Sequence, residues 1–398
     1  MGWLGLDDTD SLNGGCTTEV FHRLLNGLPE DAELGTPRLV RLWPFAQRRT
    51  RGNAAVAVEI RSDDEPALLN HLDRWWKNHI FPLTGDVQES TISERVQTPA
   101  SPGMVWFSRP PDAAIYWAAV RGEVSEEDLP NPLRRWGGHG CIGATAAVAW
   151  PAMTFTWEAI AWRKNGANGP RFVDEKTLLM LDAWPEVVFS RDPRRGKQLV
   201  APRGVSPVLF GLRALSESTA ERACRTLLNA EDTEEAMGWR VFQTNQASGD
   251  HLEGSIIGDV LALEVDSVRK HAMLTVSENT LIRVFAESGP VNALARWLMP
   301  GDRIEVRGLR HPDGSVHAEQ MRLVESVPRA RLRPPCPSCG HRMKSMGSGQ
   351  GVRCPICKHR SGDDWVSVES KPPYESWVEP EVDGRRHLAR PLEWRKNQ

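Results

Sequence analysis

The chain has no long hydrophobic run. Its longest strongly apolar stretch, Ala113 to Val120, falls well short of the about 20 residues that a membrane-spanning helix needs. The N-terminus MGWLGLDDTD has no basic start and too short an apolar run for a secretory leader, and Leu6 stands where a myristoylation signal wants Ser or Thr. A cytoplasmic protein with no membrane attachment is therefore expected. Excess charge of one sign is also missing: 49 Lys and Arg face 52 Asp and Glu, for a formal net charge of -3. Any nucleic-acid partner must then be held by local patches. Cysteine is scarce and uneven, with 7 in all and four of them between Cys336 and Cys357. That argues against a disulfide framework and for a reducing compartment with one metal site. No internal repeat or low-complexity tract is evident. Tyrosine is nearly absent, 2 against 16 Trp, and composition offers no physical account of that bias.

What is present describes a soluble globular protein: 398 residues, 40% hydrophobic and 25% charged, long enough for several domains. In residues 1–110, short strands at Trp3 to Leu6, Arg38 to Leu42 and Ala54 to Ile60 alternate with helices at Glu19 to Leu28 and Pro66 to His79, which is mixed α/β. The turn sequence Ser-Arg-Pro-Pro-Asp ends that block. Residues 111–252 read as α+β, in the manner of a split βαβ unit. Residues 253–328 give three strands, a helix at Val291 to Leu298 and two further strands, the order of an OB barrel, a fold that commonly binds single-stranded nucleic acid. Residues 329–362 hold the four clustered cysteines, and 363–398 form a polar tail.

Cys336-x-x-Cys339 and Cys354-x-x-Cys357 are two knuckles joined by a Gly, Ser and Lys loop. This spacing suits a closed, structural, tetrahedral Zn2+ site, whose binding energy folds a ribbon too small to have a core of its own. From Arg329 to Arg360 there are eight Lys or Arg residues, including Arg342, Lys344, Lys358 and Arg360, and no Asp or Glu. Two further tracts, Arg38 to Asn53 with Arg48, Arg49 and Arg51, and Arg191 to Arg203, are similarly basic. One such run is usually a solvated face, but three beside an OB barrel and a ribbon favour RNA or DNA.

The stretch GLDDTDSLNGGCTTEV carries the most chemistry. A buried strand ends at Leu6 and places Asp7, Asp8 and Asp10 at its exit, where open α/β folds carry ligands. Carboxylates this close are best tolerated around a cation, and hard oxygen ligands beside phosphates suit Mg2+. Gly14 and Gly15 let backbone approach a ligand, and Thr17 and Thr18 open a helix whose amides can hold an anion. Simple helix capping explains one of these residues but not the set. A calcium loop fits poorly, because Leu12 occupies a ligand position and Asn13 the turn. Two stretches stay ambiguous. The glycines from Gly137 to Gly143, Gly140 among them, either cradle a phosphate or permit close helix packing. Thr244 to His251 either reads a base or polyamine or makes a turn.

Together these pieces resemble the archaeal tRNA(Ile) 2-agmatinylcytidine synthetase family. The resemblance rests on DDTD from Asp7, CTT from Cys16, TRGN from Thr50, GCIGA from Gly140, TNQASGDHL from Thr244, the OB order, the cysteine ribbon and RRHLARPL from Arg385, so it spans nearly the whole chain. It departs at Ser11 to Gly15, where the family more often has proline and a basic residue, and at Ala247-Ser248, where Gly and Thr are usual. The resemblance implies an α+β multidomain protein: an N-terminal kinase-like module, a ferredoxin-like domain, an OB domain and a zinc ribbon. It implies that ATP phosphorylates the C2 oxygen of the wobble cytidine of the CAU-anticodon isoleucine tRNA. Agmatine then displaces phosphate, and the product reads AUA. Asp7, Asp8 and Asp10 would hold Mg2+ on ATP, and Thr18 matches the family's autophosphorylated threonine. Gly14, Gly15, Thr17, Gly140 and Gly143 would lie along the nucleotide, with the basic residues on RNA and no obligate protein partner. The rival readings are a kinase of this fold with another target, and a non-catalytic OB and ribbon RNA-binding protein.

Overall fold

Alternation builds the principal sheet. In the strand Ala54–Arg61, Val56, Val58 and Ile60 enter one core while Ala55 and Ala57 enter another, as the period of two in a strand requires. Both faces are therefore covered. The helices Thr17–Asn26 and Glu65–Trp75 bring Val20, Phe21, Leu24, Leu68 and Leu72 to the first core. Helices Ala114–Arg121 and Cys141–Ala149 bring Tyr116, Val120, Ala144, Ala147 and Val148 to the second.

This computed structural model describes residues 1–10, 14–49, 52–85, 99–192, 196–202, 204–347, 349–362, 366–368 and 370–395. The chain forms two units: residues 1–253 with 381–398, and residues 254–380. The second unit is an insertion between two pieces of the first.

In the first unit the strand order is Arg134–Gly137, Gly103–Phe107, Gly2–Asp7, Ala54–Arg61, Arg38–Arg41, Ala236–Thr244, Thr156–Arg163, Val208–Ala214, Val187–Val188. Neighbours are antiparallel except Arg38–Arg41 with Ala236–Thr244, a parallel pair that joins two half-sheets. The later half has the ferredoxin-like order. Its four strands in sequence, 156–163, 187–188, 208–214 and 236–244, lie in the spatial order fourth, first, third, second across the sheet, with helices Glu175–Asp182 and Glu217–Leu228 packed on them. The turn expected as a boundary near 110 lies within this sheet, because Ala114–Arg121, Arg134–Gly137 and Cys141–Ala149 all complete the half around Gly2–Asp7. Gly103–Phe107 was not expected as a strand: it is buried at every position, so it shows no alternation.

In the second unit, Ile256–Val265, Ala272–Val276, Thr280–Val284, Val316–Glu325 and Arg303–Arg310 close a barrel in that order, with the helix Pro290–Trp297 between the third and fourth strands in sequence. Val291, Leu294 and Ala295 of this helix pack on Leu274, Ile282 and Val306 of the strands, the OB arrangement expected from element order. The ribbon is a small sheet of Lys344–Ser345, Val352–Arg353 and Arg360–Ser361 with a core of Cys336, Met343, Val352 and Cys354. The expected 363–398 tail divides: residues up to 380 belong with this unit, and the rest return to the first.

Candidate active site

The strand Gly2–Asp7 ends by carrying Asp7 to the sheet edge, and Asp8 then takes a left-handed backbone with φ 58°. Asp8 N–H donates to Asp7 Oδ1 at 2.7 Å, and Ser101 N–H donates to Asp8 Oδ2 at 3.0 Å. Burial, reinforced by Asp8 and Asp10, pushes the Asp7 carboxyl well above the usual carboxylate range. Burial and Asp10 push Asp8 up to about 7, against the Ser101 amide, which lowers it. Both carboxylates open on a cavity shared with Arg48, Arg49, His139, Gly140 and Gly143.

Asp10 faces elsewhere. With Thr17 and Thr18 it lines a second cavity of about 360 Å³, and Asn53 borders both. Thr17 Oγ1 donates to Asp10 Oδ1 at 3.3 Å and accepts from Thr9 Oγ1 at 3.2 Å. Among the described residues, the three aspartate carboxylates do not converge on one point as the four cysteine thiols do. The single three-carboxylate site expected from sequence is thus two faces of one loop. Gly15, at φ 81°, makes the turn, and a Cβ there would sit 3.2 Å from Asp10 Cα. Gly14 precedes it, and Ser11 to Asn13 lie outside the described residues.

Thr18 is buried in the first turn of the helix Thr17–Asn26. Its Oγ1 accepts from the indole N–H of Trp162 at 3.2 Å and lies 3.0 Å from Cys16 Sγ. Trp162 is fully buried and packs at 33° against His22, 4.7 Å between ring centroids. Burial, with Arg240 nearby, holds His22 down at about 4. On the wall of the same cavity, Glu158 is buried between Arg41 Nη2 at 3.6 Å and Arg213 Nε at 3.4 Å.

The ambiguous glycines serve close packing. A Cβ on Gly143 would stand 1.9 Å from Asp7 Oδ2, and one on Gly140 2.6 Å from Asp7 O. They let the helix Cys141–Ala149 press against the exit of the acidic strand, and so line its cavity. In the polar stretch from Thr244, Gln246 and His251 line cavities while Asn245 ties backbone together. Asn245 accepts from Arg41 N–H at 2.8 Å and donates to Arg41 O at 2.8 Å and Tyr116 Oη at 3.0 Å, with Thr244, Asn245 and Gln246 all buried.

The basic tracts sort by exposure. Arg38 stacks on Trp3 at 4.1 Å and donates to Trp150 O at 3.0 Å, so it is structural, whereas Arg41 pairs with Glu158 at 3.6 Å on a cavity wall. Arg48 is exposed; Arg51, Arg194, Arg195 and Arg203 lie outside the described residues. Arg342, Lys344, Arg353, Lys358 and Arg360 are all exposed on the ribbon. There the sulfur atoms of Cys336, Cys339, Cys354 and Cys357 lie within 4.8 Å of one another, three pairs at 3.3, 3.4 and 3.5 Å. These separations are too long for disulfides at about 2.05 Å and near the about 3.8 Å edge of a tetrahedron with Zn–S of about 2.3 Å. The soft tetrathiolate set fits zinc.

Trp162, Glu158, Arg213 and Ser101 were not expected from the sequence, because they reach the loop only through the sheet. His387 stands within a family-like motif that carried no assigned role. It lines the Thr18 cavity, and the Arg41 guanidinium, with burial and Arg213, holds it well below the usual imidazole range.

Three family models match in order: the TiaS TCKD domain over residues 3–64, the TiaS FLD domain over 138–251 and the TiaS C-terminal zinc ribbon domain over 333–371. The isoleucine-tRNA 2-agmatinylcytidine synthetase TiaS of Methanocorpusculum labreanum is 31% identical, covering 98% of this chain and 95% of its own. That of Pyrococcus horikoshii is 28% identical, covering 98% and 96%. Among solved structures, the complex of TiaS with its isoleucine tRNA and ATP aligns with TM-score 0.78 at 26% identity, covering 98% of this chain and 97% of that one. Apo TiaS aligns at 0.76, also at 26% identity and with the same coverage. With 31% identity to one such synthetase over 98% of its length and three TiaS domain models matching in order, the chain belongs to the TiaS family of isoleucine-tRNA 2-agmatinylcytidine synthetases.

Proposed function

We propose that this chain uses ATP to join agmatine to the wobble cytidine of the CAU-anticodon isoleucine tRNA. The observation that carries this reading is the continuous match over 98% of the chain to agmatinylcytidine synthetases, with the acidic loop and Thr18 intact in the site. A ring carbonyl oxygen is a poor leaving group, so ATP is needed to convert it to phosphate before the amine adds. The base edge must leave the anticodon stack to be reached, which the barrel and ribbon assist by holding the rest of the tRNA.

In this reading Asp7 and Asp8 hold Mg2+ on the ATP phosphates. Their fit is chemical: ionising them is costly because of burial and mutual repulsion, and a divalent cation reverses that cost. Arg48 and Arg49 border the same cavity and complement phosphate charge. Asp10, Thr17 and Thr18 face the neighbouring cavity, where Thr18 is the phosphoryl-accepting residue. Its place in a helix first turn favours a phosphate there. Exposed Arg342, Lys344, Lys358 and Arg360 contact the tRNA backbone. The protein works in the cytoplasm, where its tRNA and ATP are.

The test is incubation with labelled ATP, agmatine and the CAU-anticodon tRNA, followed by nucleoside digestion. Agmatine-modified cytidine is the expected product. Phosphate transfer to another position, or tRNA binding without ATP consumption, refutes the reading. Asp8→Ala should abolish ATP use while leaving tRNA binding nearly intact.

A further inference from the structure

The C-terminal segment follows the inserted unit in sequence and is built into the first. Ala247 N–H donates to His387 O and Gly249 N–H donates to Leu388 O, each at 2.8 Å. Leu388 is buried in the core that holds Tyr116 and Trp150. Arg386 lies over Phe45 at 5.0 Å, and Trp394 meets Phe189 at 5.4 Å between centroids. These anchors fix what lies between them. His387 borders three adjoining cavities of about 220, 360 and 260 Å³.

The lining is cationic. Arg41, Arg49, Arg213, Arg385 and Arg386 contribute guanidiniums, against the carboxylates of Asp10, Glu158 and Asp383. Glu158 is already engaged by Arg41 and Arg213, so it offers little to a cationic ligand. The depressed basicity of His387 reports the same positive field from the cavity wall. Such a field in a walled cavity concentrates anions. Guanidiniums match phosphate oxygens in geometry as well as charge.

We propose that the segment around Arg385–His387 completes a phosphate-binding site in the first unit, separate from the Asp7 and Asp8 cavity, with Arg386 as its RNA- or nucleotide-facing cation. This rests on the reading of the protein as an ATP-dependent tRNA-modifying enzyme. Two sources carry the required chemistry: a backbone phosphate beside the extruded nucleotide, and the end of the ATP polyphosphate that reaches past Asn53 from the Asp7 and Asp8 cavity.

Arg41 and Arg213 are unsuitable for a test, since removing either takes one of two partners from the buried Glu158. Arg386→Ala and Arg386→Lys in the full-length protein are the informative pair. Binding of a labelled CAU-anticodon tRNA is followed across a sodium chloride series, and Mg-ATP binding is measured separately by calorimetry. If the phosphate is the RNA's, Arg386→Ala weakens tRNA binding and lowers the salt slope by about one, Arg386→Lys retains the slope, and ATP affinity is unchanged. If it is the nucleotide's, ATP affinity falls and the tRNA slope stays. Unchanged binding of both ligands by a variant with an unaltered melting temperature overturns the proposal. Failure of the parent protein to bind tRNA overturns the functional reading instead.

Discussion

Thr18→Val is the sharpest single perturbation of the site, because it removes a hydroxyl while keeping its volume. The loss has two parts. The phosphoryl acceptor of the proposed reading disappears, and the indole N–H of fully buried Trp162, which donates to Thr18 Oγ1 at 3.2 Å, loses its partner. A buried donor left unsatisfied costs about 1–3 kcal/mol. For a unit of this size about 1 kcal/mol moves the melting temperature by about 2–4 °C, so a fall of several degrees is expected. Trp162→Phe removes the donor and also shrinks the ring. In the double variant neither group remains to be orphaned, so the two losses should not add. The coupling energy of the Thr18→Val, Trp162→Phe cycle, read by urea unfolding, should be about 1–2 kcal/mol. Mass spectrometry of the protein after incubation with Mg-ATP supplies the functional reading. Thr18→Ser should still acquire phosphate at residue 18, and Trp162→Phe should acquire it more slowly. Additive destabilisation, with coupling near zero, would refute the structural link. Phosphorylation in Trp162→Phe at the parent rate would refute its bearing on the chemistry.

Three other outcomes follow from the same structure. His22 is held down at about 4, so between pH 6.5 and 4 the unfolded chain binds a proton that the folded one does not. Stability from this group is therefore full above about pH 6.5 and lost on acidification through 4, up to about 3 kcal/mol. His22→Asn should flatten that limb of a melting-temperature profile, and an unchanged acid slope would refute the assignment. Excising residues 333–371 with a short linker should weaken tRNA binding and reduce its salt slope while the first unit melts as before. Truncation from 333 to the end should in addition destabilise the first unit, because it exposes the Leu388 pocket at about 2 kcal/mol for the side chain alone. Equal melting temperatures for the two deletions would show that the docked segment contributes nothing. Ala247 is buried with φ 59°, a left-handed conformation that costs a residue with Cβ about 1 kcal/mol, so Ala247→Gly should gain about 0.5 kcal/mol in unfolding measurements, net of chain entropy; a loss would show that its methyl packing outweighs the strain.

Ala247 also shows where the sequence is readable and where it is not. The resemblance leads one to expect glycine there, and the left-handed backbone at φ 59° is one that suits glycine. The barrel and ribbon were legible because their information is local: strand order, a plugging helix, and cysteines at ligand spacing. The ferredoxin-like half was legible only in part: Glu217–Leu228 carries an ordinary helical periodicity, but Glu175–Asp182 and Val187–Val188 were not read from the sequence. Nor was its junction with the first half. That joint is the short parallel pairing of Gln243 and Thr244 with Arg38 and Leu39, reinforced by Asn245 bonding to the Arg41 backbone. Nothing about Asn245 in the sequence distinguishes a side chain that substitutes for a ladder from one that makes a turn.

The aspartate loop gives the same lesson at the scale of chemistry. Asp7, Asp8 and Asp10 read as one cation site because neighbours in sequence are assumed to be neighbours in function. The left-handed backbone at Asp8 breaks that assumption. It turns the chain between the second and third carboxylates, leaving Asp7 and Asp8 with Arg48 and Gly143 and sending Asp10 to Thr17 and Thr18. An aspartate tolerates that conformation better than most residues, but its identity does not announce it. Asn53 borders both cavities, so they adjoin at that residue. On the proposed reading, dividing the acids gives a phosphoryl donor and its acceptor separate walls within one strand exit.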